Sequence, residues 1–409
     1  MAFSFRRLVA GVVLGNLASG VLFVVLPLLV LKENSGPLLA TLIIVAPLLA
    51  QTFASFFWGA LSDRLGRRRE ILVFGAIGAA VLYLAFPLVS PTVLLLLRTL
   101  QAALIATSTL VYALTSEGSS GSVGGRLGNM MAWSNVGSLI GLVLVLPLLT
   151  LSSLNSVLGW ELIGVLASST ALSAVLLGFA GDLPRLRATV SVRNILRFHK
   201  GLRIIYLSAA IFPLAVGNYM AYTTLPVYLN DGLGSHGFFG IPMNSFEQLG
   251  IFSVATTAVA IPLCVWIGHQ VEGVRWRRFA LVLTPLGYAS FWLAYALTSS
   301  YLVFFAIWTV PLYPVLSIAA TKELAGITGP EERGRAIGLW NAVYTLGGLL
   351  GGTVAGVLLQ GGASYANVFL IGTVLAASGA VTLFLVVVRS FHFQFRGPSS
   401  TALPNMEPE

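Results

Sequence analysis

Apolar residues run through this chain in twelve long stretches instead of alternating with polar ones. The stretches cover about 8–31, 38–60, 71–90, 92–115, 127–149, 160–180, 203–229, 247–268, 277–298, 301–323, 334–359 and 365–388. A helix needs roughly 20 mostly apolar residues to cross a hydrocarbon core of about 30 Å. Lack of strict alternation argues against strands, and in lipid only helices and closed barrels satisfy every backbone group. The pattern predicts an all-α polytopic membrane protein with twelve transmembrane helices.

Composition and charge placement sharpen that class. Of 409 residues, 57% are hydrophobic and 9% charged, against about 25% charged in a soluble domain. So little charge cannot solvate a globular surface of this size. A soluble enzyme, a nucleic-acid-binding domain and a disordered chain are excluded. With the N-terminus inside, 21 of the 23 Lys and Arg fall on the inner side. They are Arg6 and Arg7; Arg64, Arg67, Arg68 and Arg69; Arg126; the run from Arg185 to Arg203; Arg275, Arg277 and Arg278; Lys322, Arg333 and Arg335; and Arg389 and Arg396. Lys32 alone falls outside, and Arg98 lies within a helix. The positive-inside rule then predicts an integral protein of the cell (inner or plasma) membrane with both termini cytoplasmic. The basic surplus marks that face and requires no nucleic acid. The first apolar run outlasts a signal-peptide core of about 7–15 residues and reads as a retained helix. The single cysteine, Cys264, excludes a disulfide framework and a zinc site. No H-E-x-x-H, G-x-S-x-G or P-loop is present, so the chain is not read as an enzyme.

The two halves are built alike. The longest polar stretch divides the chain into a first bundle (1–180), a cytoplasmic linker (181–202), a second bundle (203–389) and a disordered tail (390–409). Gly15-Asn16 before Leu26-Pro27 repeats as Gly217-Asn218 before Leu225-Pro226. Gly128, Gly137 and Gly141 of helix 5 recur as Gly338, Gly347 and Gly351 of helix 11, each 210 residues later. Two six-helix bundles of one topology imply a pseudo-two-fold axis along the membrane normal and suit alternating access to a midplane site. Gly137, Gly141, Gly347, Gly348, Gly351 and Gly352 are expected to let helix backbones approach closely.

The segment Gly59-Ala60-Leu61-Ser62-Asp63-Arg64-Leu65-Gly66-Arg67-Arg68-Arg69 closely resembles the G-x-L-x-D-R-x-G-R-R signature between helices 2 and 3 of the major facilitator superfamily. The resemblance in topology covers the whole chain and implies a secondary transporter of two six-helix bundles. It also implies that Gly59, Asp63, Arg64, Gly66, Arg67 and Arg68 form a cytoplasmic latch, with Glu117 as a second acid in the same relay. Asp63 is expected to pair with Arg67 and to meet the positive end of helix 11 near Arg333 to Ala336. After helix 8, Glu272 and Gly273 replace the Asp-Arg pair, so a weaker latch is expected there, with Arg277 or Arg278 facing Glu323. In helix 4, Leu97-Arg98-Thr99-Leu100-Gln101-Ala102 resembles the R-x-x-Q-G pattern of drug–proton antiporters, with Ala102 in the glycine position. This favours efflux of a drug-like or metabolite compound. Two departures count against that branch. Gly141 is followed by Leu142 where the antiporter signature has proline, and helix 1 carries Asn16 where many antiporters carry an acid.

Burying an arginine near the bilayer centre costs about 2.5–3.5 kcal/mol on insertion scales. Arg98 is therefore a substrate or coupling candidate, with outward snorkelling over about 10 Å as the structural alternative. None of the 14 carboxylates and none of the histidines lies mid-helix. Glu161 and Glu247, at the outer mouth, are the acids available to a proton path. No cofactor is expected, and proton coupling stands beside uncoupled transport. Neutral candidates are Asn16, Gln51, Gln101 and Asn135 in the first half. The second half offers Asn218, Tyr219, Tyr222, Trp308, Tyr313, Trp340, Asn341 and Tyr344. Aromatic walls with few polar anchors describe a small-molecule site, and Pro311 and Pro314 are expected to break helix 10. The resulting reading is a monomeric secondary transporter whose partners are membrane lipids and a small organic solute. The alternatives are uptake, uniport or exchange of a sugar or organic anion without protons, and a non-transporting sensor or lipid-handling protein.

Overall fold

The structure, a computed structural model, describes residues 4–65, 67–108, 110–111, 123–151, 160–180, 201–231, 243–328 and 330–395. For residues 60, 63–64, 123–124, 148–151, 160–161, 201, 330–335 and 388–395 it describes the backbone alone. Among the described residues there is no strand, and twelve long helices follow one another. They are α1 (Phe5–Lys32), α2 (Gly36–Leu65), α3 (Arg68–Tyr83), α4 (Pro91–Ile105), α5 (Val123–Leu151) and α6 (Trp160–Gly178) in the first half. The second half holds α7 (Gly201–Ala210, resuming as Phe212–Asp231), α8 (Ser245–Gln270), α9 (Val274–Leu297), α10 (Tyr301–Trp308, resuming as Leu312–Ile327), α11 (Pro330–Gln360) and α12 (Tyr365–Phe395). Eleven described spans are long and apolar enough to cross a membrane, and Leu162–Gly178 of α6 is a shorter apolar helix.

Several boundaries move, each for a local reason. The signature segment is helical through Leu65 and not a loop, because no breaker stands between Gly59 and Gly66. α11 starts at Pro330, a turn before its apolar run, since proline suits a first helical turn that has no N–H partner to lose. α7 begins at Gly201, inside the expected linker; residues 181–200 lie outside those described. α12 runs to Phe395, into the expected tail, because no glycine or proline interrupts it before Gly397-Pro398. α10 breaks where expected, with Pro311 extended at φ −81°, ψ 98° and Pro314 in the first turn of the resumed helix.

Within the first half, α1 packs on α5 and α6, α2 on α4, and α3 on α6; in the second half, α7 packs on α11 and α12, and α9 on α12. Across the halves, α5 lies along α8 and α2 along α11. A β-carbon on Gly137 or Gly141 would strike the Val13 or Leu17 carbonyl oxygen of α1, and one on Gly351 would strike Val216 O of α7. One on Gly347 would come within 2.7 Å of the Ala215 side chain and 3.0 Å of Phe212 O. Gly348 leaves room for the Tyr219 ring, and Gly352 faces Val45 of α2, so it serves contact between the halves. The end of the bundle where α1 starts is called the basic end below. Toward the opposite end, every residue of α1 from Val21 to Val30 except Phe23 is buried. So is every residue of α7 from Met220 to Leu229 except Tyr222 and Tyr228.

Candidate functional site

The break in α10 sets Trp308 and Tyr313 on either side of a short non-helical step, where the Trp308 ring reaches α7 and the Tyr313 ring reaches α11. Tyr222 stacks on Trp308 with ring centroids 5.4 Å apart, and Tyr219 meets Tyr222 and Tyr344 edge-on at 5.9 and 5.7 Å. Tyr344 lies 6.0 Å from Tyr313. Into this aromatic cage points the amide of Asn218, 6% exposed, whose Nδ2 donates to Tyr344 Oη at 3.1 Å. Asn218 Oδ1 has no hydrogen-bond partner. If the amide is flipped, its nitrogen becomes the unpaired atom, so one polar atom is left over either way. Such a group costs about 1–3 kcal/mol if nothing pairs with it. Tyr313 is 47% exposed although it faces Tyr344, so the cage is open on that side, which is the side of the basic end. Asn341, one turn nearer the basic end than Tyr344, is exposed, while Trp340 is buried.

On the other side the cage is roofed. Phe23 of α1 stacks on Tyr222 at 4.9 Å, so Tyr222 is sandwiched between the two halves of the molecule. Sequence reasoning missed Phe23. Its signal was present: at about 100° per residue it falls on the same face of α1 as Asn16, seven positions earlier. Each aromatic pair contributes about 0.5–1.5 kcal/mol. Tyr222→Ala is therefore expected to raise hydrogen exchange in α1 and α7 beyond this stack by about tenfold or more, as befits the loss of three such pairs. Unchanged exchange would mean the stack is no roof.

Arg98 lies on the face of α4 opposite the exposed Leu96 and Leu100. Its guanidinium donates to Gln101 Oε1, and Gln101 Nε2 donates to Tyr83 Oη of α3 at 2.9 Å. The bond leads one turn deeper instead of toward the nearer end, so the arginine does not snorkel outward. It is tied into a network inside the first half. Asn16 spends its amide on Val12 O at 2.9 Å, and Gln51, half-buried, receives Ser55 Oγ on its backbone carbonyl. Asn135 does not enter the cage either: its Nδ2 donates to Cys264 Sγ of α8 at 3.4 Å. Glu247 accepts the Asn244 N–H at 2.8 Å while Asn244 Oδ1 accepts the Glu247 N–H, a reciprocal cap on α8.

At the basic end, Arg67 pairs with Glu70 at 3.3 Å on the surface, and Arg68 opens α3. A β-carbon on Gly59 would meet nothing within 4 Å. The side chains of Asp63 and Arg64, and Gly66, Glu117 and the Glu161 side chain, lie outside those described. The corresponding region of the second half is denser than the sequence suggested. Glu323, 6% exposed, holds Arg277 Nε at 2.6 Å, with Arg203 and Arg278 at 3.6 and 3.8 Å, while Glu272 meets Lys322 at 2.6 Å. Along the chain Arg203 marks only the basic end, and its place beside Glu323 is visible only in the fold. A groove of about 440 Å³ lined by Phe57, Trp58, Phe74 and Arg67 runs outside α2 and α3, away from the cage.

The sequence profile of the Major Facilitator Superfamily matches residues 8–321 and, separately, 207–400. No curated protein matches the chain in sequence. Among solved structures, a mutant of the nucleoside transporter NupG superposes with a TM-score of 0.67 at 16% identity, over 93% of this chain and 99% of that one. A mutant of the E. coli fucose:proton symporter FucP gives 0.64 at 16% identity, over 93% and 98%. Identities this low speak for the shared fold alone.

Proposed function

The chain belongs to the major facilitator superfamily, and from that premise we propose that it takes up a neutral ring compound rich in hydroxyl or N–H groups, a nucleoside or a hexose-like sugar. The observation that carries this reading is the unpaired amide atom of buried Asn218 inside an aromatic cage. A solute hydroxyl or N–H supplies the donor that Oδ1 lacks, and the Tyr and Trp faces offer stacking area to a ring. None of the cage residues named above carries a charge to hold an ion. The two named structural neighbours carry a nucleoside and fucose by their descriptions, and both support this class over efflux of a drug-like or metabolite compound. One of the two mouth carboxylates, Glu247, is committed to capping α8, so the reading includes no proton relay through it. The basic end is placed in the cytoplasm by the positive-inside rule, and the carrier acts as a monomer.

The test is uptake of labelled uridine, adenosine, fucose and glucose into proteoliposomes, with and without a pH gradient. Saturable uptake of one class, indifferent to the gradient and about tenfold weaker in kcat/KM for Asn218→Leu, is the expected result. Uptake that ignores Asn218→Leu would remove the cage from the pathway. A second reading, efflux, keeps the Arg98-x-x-Gln101 pattern as its observation. Gradient-driven extrusion of a drug-like compound, abolished by Arg98→Ala, would favour it.

A further inference from the structure

α7 and α10 are each interrupted, and both breaks are closed in the same way. α7 stops at Ala210 and resumes at Phe212, and α10 stops at Trp308 and resumes at Leu312. The last carbonyls of a helical piece lack partners on their own helix, and a proline beyond them withholds the N–H that would continue the ladder. Pro213 and Pro311 stand in those places. At each break a threonine of a neighbouring helix takes up the carbonyl of the last residue. Thr382 of α12 donates to Ala210 O at 2.9 Å, and Thr256 of α8 donates to Trp308 O at 2.5 Å. This differs from Thr52 and Thr345, which pair hydroxyl to hydroxyl at 2.8 Å between α2 and α11.

A hydroxyl has one proton to give. Thr256 lies 2.9 Å from Phe252 O, the usual return bond of a helical threonine to its own helix, and nearer still to Trp308 O. One turn before Trp308, Tyr295 of α9 donates to Phe304 O at 2.9 Å. The short piece Tyr301–Trp308 therefore hangs between α8 and α9 by two side chains that hold its backbone. Trp308 is held a second time through its ring, which stacks on Tyr222, itself stacked on Phe23. Backbone rotation at residue 308 carries the indole with it, so the bond to the carbonyl and the place of the ring are one geometry. We propose that Thr256 is a positioning residue for the solute cage: its hydroxyl sets the place of the Trp308 wall and so the fit of a ring-shaped solute. Thr382 performs the same chemistry eight residues before Asn218, about 12 Å away along α7, and sets no wall. The fit to a solute rests on the carrier reading above, whereas the placement of Trp308 does not.

Thr256→Val, Thr256→Ser and Thr382→Val in the full-length protein test it, since valine keeps the shape of threonine and removes the donor. Thr256→Ala, which also lacks the donor, repeats the comparison at smaller volume. The ring is read without any solute from the fluorine spectrum of protein labelled with 5-fluorotryptophan, in which the Trp308 line is the one lost in Trp308→Phe. Thr256→Val is expected to shift and broaden that line, Thr256→Ser to restore it, and Thr382→Val to leave it in place. In uptake of the labelled nucleosides and sugars named above, Thr256→Val is expected to raise KM about tenfold while kcat stays within about twofold. Thr382→Val is expected to lower the melting temperature as Thr256→Val does and to leave KM unchanged. A merely structural bond would reduce the folded fraction, and with it kcat, but not move KM. An unmoved Trp308 line in Thr256→Val would overturn the assignment, as would a KM raised equally by Thr382→Val. A moved line with unchanged KM would separate the wall from solute fit and overturn the positioning role. Wild type that takes up none of the probes would count against the carrier reading alone, because the fluorine line still decides whether Thr256 places Trp308.

Discussion

Glu323→Gln is expected to cost about 3–5 kcal/mol of folding stability, because it removes the one charge that three guanidinium groups share. Arg277 and Arg278 are 8% and 6% exposed, and Glu323 is 6% exposed, so solvent screens the cluster little. Attraction to one carboxylate offsets the desolvation of Arg277 at 2.6 Å and of Arg203 and Arg278 within 3.8 Å. With glutamine, the shape and one acceptor remain while the arginines repel one another. The melting temperature of the purified protein in detergent should fall sharply, and size-exclusion profiles should broaden. Adding Arg278→Gln should recover part of the loss, since it removes surplus charge; a strictly additive double variant would show that the two do not interact. Lys322→Gln is the control. It leaves its half-exposed partner Glu272 in a place where water can solvate it, and an exposed pair contributes at most about 1 kcal/mol.

Gly141→Val and Gly351→Val are expected to be the most damaging single substitutions in the helix core. At each, even the first added carbon collides with a backbone carbonyl of the crossing helix, Leu17 O or Val216 O. A side chain can rotate aside, but a helix carbonyl moves only with its helix. Overpacking of cores costs typically about 1–3 kcal/mol and more when the obstacle cannot yield. In lipid these contacts matter more, because close packing of small residues is what holds helices together there. The measurable result is loss of the monodisperse species on expression, equal for the two because they occupy matching places in the two halves. Gly59→Ala provides the contrast. Its β-carbon meets nothing, so the fold should persist. Transport lost in that folded variant would assign the signature glycine to motion instead of packing.

These expectations differ in how much of them the chain itself discloses. The glycine pairs are legible as an offset of 210, but which neighbour each one touches is not. Gly137 and Gly141 face α1 within their own half, whereas Gly128, part of the same repeat, faces the other half. That difference follows from the rotation of α5 between α1 and α8, which no spacing along one helix encodes. Asn135 and Asn218 look alike in sequence, each an amide midway along an apolar helix. One pairs across the halves with a thiol, and the other stands half-satisfied among tyrosines. Thr52 and Tyr83 carried no mark of their own, since an aromatic or a threonine in a membrane helix is ordinary, and Phe23 had only the helix face it shares with Asn16. They acquire roles only through the partners set opposite them.

The solvent, the number of crossings, the charge asymmetry of the two ends and the doubling of the bundle are all legible along the chain. Those follow from the length of apolar runs, from where charge can be solvated, and from similarity along the chain, all one-dimensional properties. That Arg98 is held by Gln101, that Glu323 gathers three arginines, and that a cage open on one side is roofed by Phe23 on the other emerge from the packed helices alone. Those depend on helix rotation and on which surfaces cross, which are set by the packing of all twelve helices together and by none of them alone.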